Sequence, residues 1–178
     1  MEENYHAALE KAKTGEVREG DFEEGKCDLA GCEKAEDSSQ KRVIFTDGSA
    51  SPNPGPGGFA LIENGAPIAL GAENPSTNIR MEGLALKKAL EILGEEEAEI
   101  QTDSEFWVNV LTKWAPDWQK NGWKKKNGEI KNLDIVQPLF ELYQKSNATL
   151  KWLKGHAGHE WNELADEWAN RAREGEKL

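Results

Sequence analysis

The sequence predicts an α/β fold in which a mixed sheet is flanked by helices. Three observations support this prediction. Short β-prone runs come first and are separated by turn signals. Amphipathic helical patterns then alternate with further short strands. The resulting order is β-β-β-α-β-α, an irregular basic segment and then α-β-α, which is typical of layered α/β domains.

The first three strands are predicted by apolar runs and by the turns between them. Residues 43–45 form a short strand that we expect to end at Asp47, and the stretch SPNPGPGG that follows is rich enough in proline and glycine to predict a turn. Strands over 58–63 and 67–72 flank an Asn-Gly dipeptide, the strongest short signal of a β-hairpin. Three consecutive antiparallel strands are therefore expected.

The remaining elements follow from helical spacing and capping residues. Apolar side chains recur at helical spacing over 80–93, and Gly94 ends that helix. A strand over 99–102 leads into a helix over 104–111, capped by Ser104 or Asp103. A helix, a strand and a final helix are predicted over 134–144, 149–153 and 160–173.

The charge of the chain is distributed unevenly. The 178 residues carry 33 acidic and 22 basic side chains, for a net charge of -11. Residues 1–40 alone hold 12 acidic and five basic side chains and few large apolar ones. We expect this leader to be a flexible extension with at most a short helix over 5–13. The predicted folded domain covers residues 41–175, and 176–178 form a tail.

Composition excludes several classes of protein. No apolar run approaches the roughly 18 residues that a membrane span needs, and the first residues lack the pattern of a secretory signal. Cys27 and Cys32 are too few for a disulfide scaffold, and without a second pair we interpret them as ordinary thiols. We expect a cytoplasmic protein with no membrane partner, and we expect it to be a monomer.

Four carboxylates are candidates for a chemical site. Asp47 follows the string VIFT and Asp103 follows EIQT, and ligands in α/β sheets bind at strand ends. Glu82 is expected in the first turn of the first long helix, and Asp166 in the middle of the last helix. Taken singly, each has an ordinary explanation as a turn former, a helix cap, a partner of the helix dipole or a solvated side chain.

Five strings together carry a family resemblance: FTDGSASPNPGPGG, NIRMEGLA, TDSEFWV, WAPDWQKNGWKKK and KGHAGHEWNELADEWA. In order and spacing they resemble bacterial-type ribonuclease H of type 1, over about residues 41–175. The resemblance implies a ribonuclease H-like fold, with a five-stranded mixed sheet of three antiparallel strands followed by two parallel additions. It also implies that Asp47, Glu82, Asp103 and Asp166 are the four active-site carboxylates.

Such a carboxylate cluster has a definite chemical requirement. Two carboxylates about 4 Å apart repel each other by roughly 4 kcal/mol at an effective dielectric constant of 20, so four need cations or shared protons. Oxygen ligands without nearby Cys and His favour Mg²⁺ or Mn²⁺ over zinc. The resemblance implies cleavage of the RNA strand of RNA/DNA hybrids by two Mg²⁺ ions, with Mn²⁺ as a substitute, to give 5′-phosphates. Primers and R-loop RNA would be the cellular substrates.

His156 lies in a glycine-flanked loop, GHAGH, ten residues before Asp166. A lone histidine is usually structural or simply exposed, and His159 is interpreted in that way. For His156, the flexible flanks and the family match favour a role in proton transfer or product release. Its loss is expected to reduce the rate without abolishing it.

Residues 114–131, called the basic segment below, hold five lysines against two acidic side chains. Three tryptophans are interleaved with the lysines, and a solvated loop with core tryptophans is the alternative interpretation. The resemblance implies that the lysines contact phosphates of the DNA strand and that the indoles pack on its sugars. The predicted contacts are Trp114, Trp118, Lys120, Trp123, Lys124 and Lys125. Trp114 and Trp118, four residues apart on one helical face, are the better contact candidates.

Contacts to the RNA strand would require sensing of its 2′-hydroxyl groups. Gly48, Asn53 and Asn78 match family positions on the RNA-binding side, and Thr77 and Arg80 are candidates for phosphate contact. Asn53 has an alternative role as a turn former.

Three residues depart from the family pattern. Glu105 replaces a glutamine, and its charge is expected to weaken contact with the RNA strand. Ile79 replaces an asparagine and removes one amide contact. Gly83 replaces a leucine, which costs the helix roughly 1 kcal/mol and is expected to loosen local packing. None of the three removes a candidate metal ligand.

Two alternatives stay open at this point. One is a nuclease of the same fold that acts on double-stranded RNA or DNA. The other is a catalytically silent module that binds hybrids or a protein partner, although such a module has no reason to keep four carboxylates. The charge of the leader adds the hypothesis that residues 1–40 compete with nucleic acid for the basic segment.

Overall fold

The structure of the protein is a computed structural model, and it describes residues 41–155 and 158–178. Several predictions therefore lie outside the described residues. They concern the leader over 1–40 with its short helix and its two cysteines, and the side chain of His156.

Five strands form one mixed sheet, as predicted. They are β1 (Arg42–Ala50), β2 (Gly55–Glu63), β3 (Ala66–Ser76), β4 (Ala98–Thr102) and β5 (Thr149–Trp152). Their order in the sheet is β3-β2-β1-β4-β5. The pairs β1–β2 and β2–β3 are antiparallel, whereas β4 pairs with β1 and β5 with β4 in parallel. The expected arrangement of three antiparallel strands and two parallel additions is confirmed.

The helices follow the predicted order. They are α1 (Asn78–Leu93), α2 (Glu105–Asn109), α3 (Ala115–Lys120), α4 (Leu133–Lys145) and α5 (Glu160–Arg173). A π-helical turn over Val110–Trp114 joins α2 to α3 without a break. Pro116 cannot donate a backbone hydrogen bond to the preceding turn, and a widened turn before it accommodates this loss. The first part of the basic segment is therefore helical and not irregular.

The stretch SPNPGPGG is only partly a turn. β1 continues to Ala50, and β2 already begins at Gly55. A Cβ atom on Gly58 would lie 2.3 Å from the backbone nitrogen of Arg173, so this glycine permits close approach of α5. Glycine enrichment here reflects contact between elements as well as a turn, which sequence composition alone does not distinguish.

The predicted hairpin between β2 and β3 is confirmed. Asn64 and Gly65 have φ angles of 51° and 74°, as a tight two-residue hairpin turn requires.

Two apolar clusters fill the faces of the sheet. Alternate residues of β1 point to opposite sides, so Ile44 joins the larger cluster with α1 and α4, and Phe45 joins a smaller one with Ala165 of α5. Helices cover both faces of the sheet. The edge at the carboxyl ends of the parallel strands β1 and β4 therefore remains open for a ligand. Within residues 41–155 and 158–178, no helix has the length and apolar character needed to cross a bilayer.

Candidate active site

Asp47 and Asp103 are placed side by side by the parallel pairing of β1 with β4. Thr46 pairs with Thr102 in the register of these strands, and each aspartate is the next residue. Asp103 follows β4 as predicted. The expectation that Asp47 follows its strand is wrong, because β1 continues to pair with β2 and Asp47 lies opposite Ala60.

Glu82 reaches the same site from α1. Thr77 caps this helix by accepting a hydrogen bond from the backbone nitrogen of Arg80 at 3.2 Å, so the helix begins at Asn78. Glu82 therefore lies in the second turn and not in the first, which corrects the prediction. A Cβ atom on Gly48 would lie 2.2 Å from the nitrogen of Glu82, so glycine at this position lets α1 pack directly on β1.

Asp166 is contributed by the middle of α5, as predicted. All four predicted carboxylates line one cleft of about 320 Å³. The other residues that line it are Gly48, Ser49, Asn78, Asn162 and Glu163. Residues far apart in sequence thus converge on one acidic surface.

Burial changes the acidity of two of these carboxyl groups. Asp47 is 8% exposed, and burial together with the charge of Asp103 raises its pKa to about 8, with smaller contributions from Asp166 and Glu82 and an opposing hydrogen bond from the Gly48 backbone. Burial also raises the pKa of Glu82 to about 7, to which Asp103 adds, while a hydrogen bond from Ser104 opposes the change. Without a cation, the cluster therefore retains protons near neutral pH.

Polar side chains that the sequence analysis missed hold the carboxylates. The Ser104 hydroxyl donates to Glu82 Oε2. Asn162 Nδ2 donates to Asp103 Oδ2 at 3.3 Å, and Asn170 Nδ2 donates to Asp166 Oδ1 at 3.3 Å. The two asparagines flank Asp166 at spacings of four residues in α5, and this pattern could have indicated that they share its helix face.

The same cleft contains one buried acceptor without a partner. Asn162 is 5% exposed, and its Oδ1 atom makes no hydrogen bond in the part of the chain that the structure describes. Buried polar atoms are rarely left unpaired, so this oxygen fits a ligand or a bound water.

The carboxylates are not arranged as a ready-made metal cage. Among the described residues, no three acidic, histidine or cysteine side chains are grouped so that they could hold one ion. The donor set of the cleft nevertheless consists of hard oxygen atoms, and Asp47 and Glu82 lack a positive partner among their hydrogen bonds in the described residues.

The basic segment borders an apolar groove of about 530 Å³. Ile79, Phe106, Trp114 and Trp118 contribute its aromatic and aliphatic surface, and Lys125 lies at its margin. We call it the aromatic groove. The Trp114 side chain is 40% exposed, and its ring centroid lies 6.1 Å from that of Trp118.

The other predicted contacts to the DNA strand divide into two groups. Lys120, Lys124 and Lys125 are exposed. Trp123 is partly buried, and its ring packs edge-on against Phe140 at 6.1 Å. The core interpretation of the tryptophans therefore describes Trp123, whereas Trp114 presents surface to solvent.

The predicted contacts to the RNA strand also occupy different environments. Gly48 and Asn78 line the acidic cleft, and Asn53 is exposed between β1 and β2. Asn78 Oδ1 accepts a hydrogen bond from the backbone nitrogen of Ala50 at 2.6 Å, which ties α1 to the end of β1. Thr77 serves as the cap of α1.

Arg80 is engaged within the protein. Its guanidinium group forms ion pairs with Glu73 at 2.5 Å and with Asp134 at 2.8 Å, which link α1 to β3 and α4. A phosphate contact at this position would have to compete with two carboxylates.

The expectation that Gly83 loosens local packing is wrong. A Cβ atom there would lie 2.2 Å from the Trp107 indole, which is fully buried and fills the space. The indole nitrogen of Trp107 also donates to the carbonyl oxygen of Ile79 at 2.6 Å. Ile79 itself is 41% exposed beside the aromatic groove, and Glu105 is exposed at the start of α2.

Comparison with known proteins gives a consistent result. Residues 39–174 match the family model described as RNase H. The chain is 44% identical to a ribonuclease H of Afipia carboxidovorans over 132 residues, which are 71% of this chain and 89% of that protein. It is 45% identical to a ribonuclease H of Mesorhizobium japonicum over 136 residues, which are 74% of this chain and 77% of that protein.

Solved structures agree with these sequence matches. LC9-RNase H1, described as a type 1 RNase H with the type 2 active-site motif, superposes with a TM-score of 0.63 at 26% identity, covering 76% of this chain and 74% of that chain. The foamy viral protease-reverse transcriptase in complex with dsDNA has a TM-score of 0.64 at 17% identity, covering 76% of this chain and 95% of that one. The second likeness concerns the fold alone.

Proposed function

The chain belongs to the ribonuclease H family, whose members cleave the RNA strand of RNA/DNA hybrids, and we propose that it does so endonucleolytically and leaves 5′-phosphate ends. The observation that carries this proposal is the convergence of Asp47, Glu82, Asp103 and Asp166 on one cleft. Residues 41–175 would form the catalytic domain. Its substrates in the cytoplasm would be primers and R-loop RNA, with the protein acting as a monomer.

The donor set of the cleft fits hard divalent cations. Members of this family generally use divalent metal ions, and the four carboxylates supply the oxygen ligands that Mg²⁺ prefers, with Mn²⁺ as a substitute. When bound, two such ions would supply an activated water and stabilise the leaving 3′ oxygen. The unpartnered Oδ1 atom of Asn162 would accept a hydrogen bond from a water of the hydrated site.

Side chains of the protein suit this site to the binding of cations. Because the pKa values of Asp47 and Glu82 are raised to about 8 and about 7, both groups would release protons as cations bind. Ser104 holds one oxygen of Glu82, and Asn162 and Asn170 hold Asp103 and Asp166. For His156 we propose proton transfer or aid to product release, on the family match alone.

The substrate duplex would lie across the cleft and the basic segment. The exposed lysines Lys120, Lys124 and Lys125 would contact phosphates of the DNA strand, and Trp114 and Trp118 would pack on its sugars. Gly48 and Asn78 line the cleft, and Asn53 is exposed between β1 and β2. These three residues would read 2′-hydroxyl groups of the RNA strand.

The test compares labelled RNA/DNA hybrid, duplex RNA and duplex DNA as substrates, with and without Mg²⁺. We expect preferential cleavage of the RNA strand of the hybrid, with 5′-phosphate ends. Asp47→Asn should abolish cleavage while hybrid binding persists in Ca²⁺, and Glu141→Gln, an exposed carboxylate-to-amide change in α4 outside the basic segment, should behave as wild type. Preferential cleavage of duplex DNA, or wild-type cleavage by Asp47→Asn, would contradict the proposal.

A further inference from the structure

A series of hydrogen bonds connects Asp166 to the C-terminal end of its own helix through β1. Arg173 Nη1 donates to Ser49 Oγ at 3.0 Å. The Ser49 hydroxyl donates to Asn170 Oδ1 at 2.7 Å. Asn170 Nδ2 then donates to Asp166 Oδ1 at 3.3 Å. We call Arg173, Ser49 and Asn170 the α5 network.

Each hydrogen bond of the α5 network is donated in the same direction, from Arg173 toward Asp166. A guanidinium group only donates, so the Ser49 oxygen accepts from Arg173, and the Ser49 hydroxyl proton remains available to donate to Asn170 Oδ1. This contact requires the carbonyl oxygen of Asn170 to face Ser49, which turns the amide nitrogen toward Asp166. An asparagine amide could otherwise adopt either of two orientations. The Ser49 proton and the carboxylate of Asp166, which accepts, together fix which end of the Asn170 side chain faces Asp166, and Arg173 holds the Ser49 hydroxyl in place.

The α5 network also connects strand β1 with helix α5. Ser49 lies two residues beyond Asp47 on β1, and Asn170 lies one helical turn beyond Asp166 on α5. The close approach of α5 at Gly58 brings the end of the helix to this sheet edge. The side chain of Arg173 is only 20% exposed, and limited solvent access strengthens hydrogen bonds of this kind.

One oxygen of Asp166 remains available beyond this contact. Among the described residues, only Asn170 hydrogen-bonds the Asp166 carboxylate, and it does so through Oδ1. Holding one oxygen in this way fixes the side-chain rotamer and leaves Oδ2 for another ligand. Partners of this kind are known to orient metal-binding carboxylates in proteins.

We propose that Asn170, Ser49 and Arg173 are positioning residues that hold Asp166 in the orientation needed to bind a divalent cation. This inference rests on the proposed function, since it assumes that Asp166 is a metal ligand. It assigns a role to three residues that would act through Asp166.

The test measures binding of Mn²⁺ and of Mg²⁺ alone by titration calorimetry, in parallel with kcat and KM for hybrid cleavage. Asn170→Ala should weaken ion binding by about 10-fold or more. Ser49→Ala should weaken it less, because Asn170 remains in place with a free amide orientation. The double variant should be no worse than Asn170→Ala, since both changes interrupt the same series of bonds.

Arg173 offers a matched control on the same helix. Arg173→Gln should weaken ion binding and lower kcat more than it changes KM, whereas Arg173→Lys retains a donor and should restore part of the loss. Arg171→Gln removes an exposed ion pair with Glu167 at the same end of α5 and should leave ion binding unchanged. Thermal melting of each variant checks that the fold is intact.

The outcomes distinguish failure of the positioning role from failure of the proposed function. Wild-type ion affinity in a folded Asn170→Ala variant would overturn the positioning role, as would full additivity of the Ser49 and Asn170 changes. If Asn170→Ala does not fold, ion titrations of Ser49→Ala and Arg173→Gln test the positioning role in its place, and wild-type affinity in both would overturn it. If the wild-type protein neither binds the ions nor cleaves hybrid, the proposed function itself fails.

Discussion

Replacing Asp47 by Asn should stabilise the metal-free protein strongly at alkaline pH and only slightly at acid pH. The carboxyl group is 8% exposed, and its pKa in the folded protein is about 8, against an ordinary value of 3.8. Ionisation of this group therefore opposes folding. Asparagine has a similar shape and no proton to lose, so the free energy of folding of the variant does not contain this cost of ionisation.

The size of the effect follows from proton linkage. Below pH 3.8 the group is protonated in both states. As pH rises from there to about 8, the unfolded chain ionises while the folded protein does not, and folding loses about 1.4 kcal/mol for each pH unit. Above that pH both states are ionised and the penalty is constant. The cost reaches about 2 kcal/mol at pH 5 and about 6 kcal/mol at pH 9, so the stability difference between variant and wild type should grow by about 4 kcal/mol.

Urea unfolding followed by circular dichroism in EDTA, at pH 5, 7 and 9, measures this difference. Asp117→Asn, on the exposed surface of α3, is the control and should show no comparable dependence on pH. Added Mg²⁺ should stabilise the wild-type protein by mass action and should stabilise the Asp47 variant much less. A variant whose stability curve runs parallel to that of the wild type from pH 5 to pH 9 would refute the reasoning.

Three further predictions follow from the described contacts. Gly83→Ala should destabilise the fold by about 2 kcal/mol in thermal melting, because its Cβ would collide with Trp107 despite the higher helix propensity of alanine. Trp114→Ala should weaken hybrid binding in Ca²⁺ by about 1–3 kcal/mol, measured by fluorescence anisotropy, since the exposed indole offers a packing surface. Lys124→Ala and Lys125→Ala should each lower the slope of log affinity against log salt by about 1.

Each of these predictions has its own control. Gly83→Ala combined with a smaller side chain at Trp107 should destabilise the fold by less than the sum of the two single changes. An unchanged melting temperature in the Gly83→Ala variant would contradict the steric argument. Lys88→Ala changes an exposed lysine on α1, outside the basic segment, and should leave the salt dependence as it is. Equal hybrid affinity of Trp114→Ala and the wild type would remove the aromatic groove from the binding surface.

The order of the elements was predictable because the signals that specify it are local. An Asn-Gly dipeptide specifies a hairpin turn, and helical spacing of apolar residues specifies the face that α1 buries. The motif strings located four of the five carboxylates that line the cleft, and Glu163 is the fifth. For these features, neighbours in sequence are also the relevant neighbours in space.

Other features depended on residues distant in sequence. The extension of β1 past Asp47 results from its pairing with β2, and the need for glycine at position 83 results from an indole on another helix. The contacts of Arg80 with two carboxylates likewise could not be inferred from its own helix.

The sequence by itself determined the α/β class and the strand and helix order apart from α3, because backbone propensity and apolar periodicity are encoded over a few residues. The identity of the four acidic residues came from the resemblance of the motif strings to a known family. Only the tertiary structure decided how acidic those residues are and what holds them. Burial of Asp47 depends on the packing of α1 and α5 against β1, and the α5 network requires Ser49 to meet Asn170, 121 positions away. Burial and hydrogen bonding between distant residues arise only when the chain has folded.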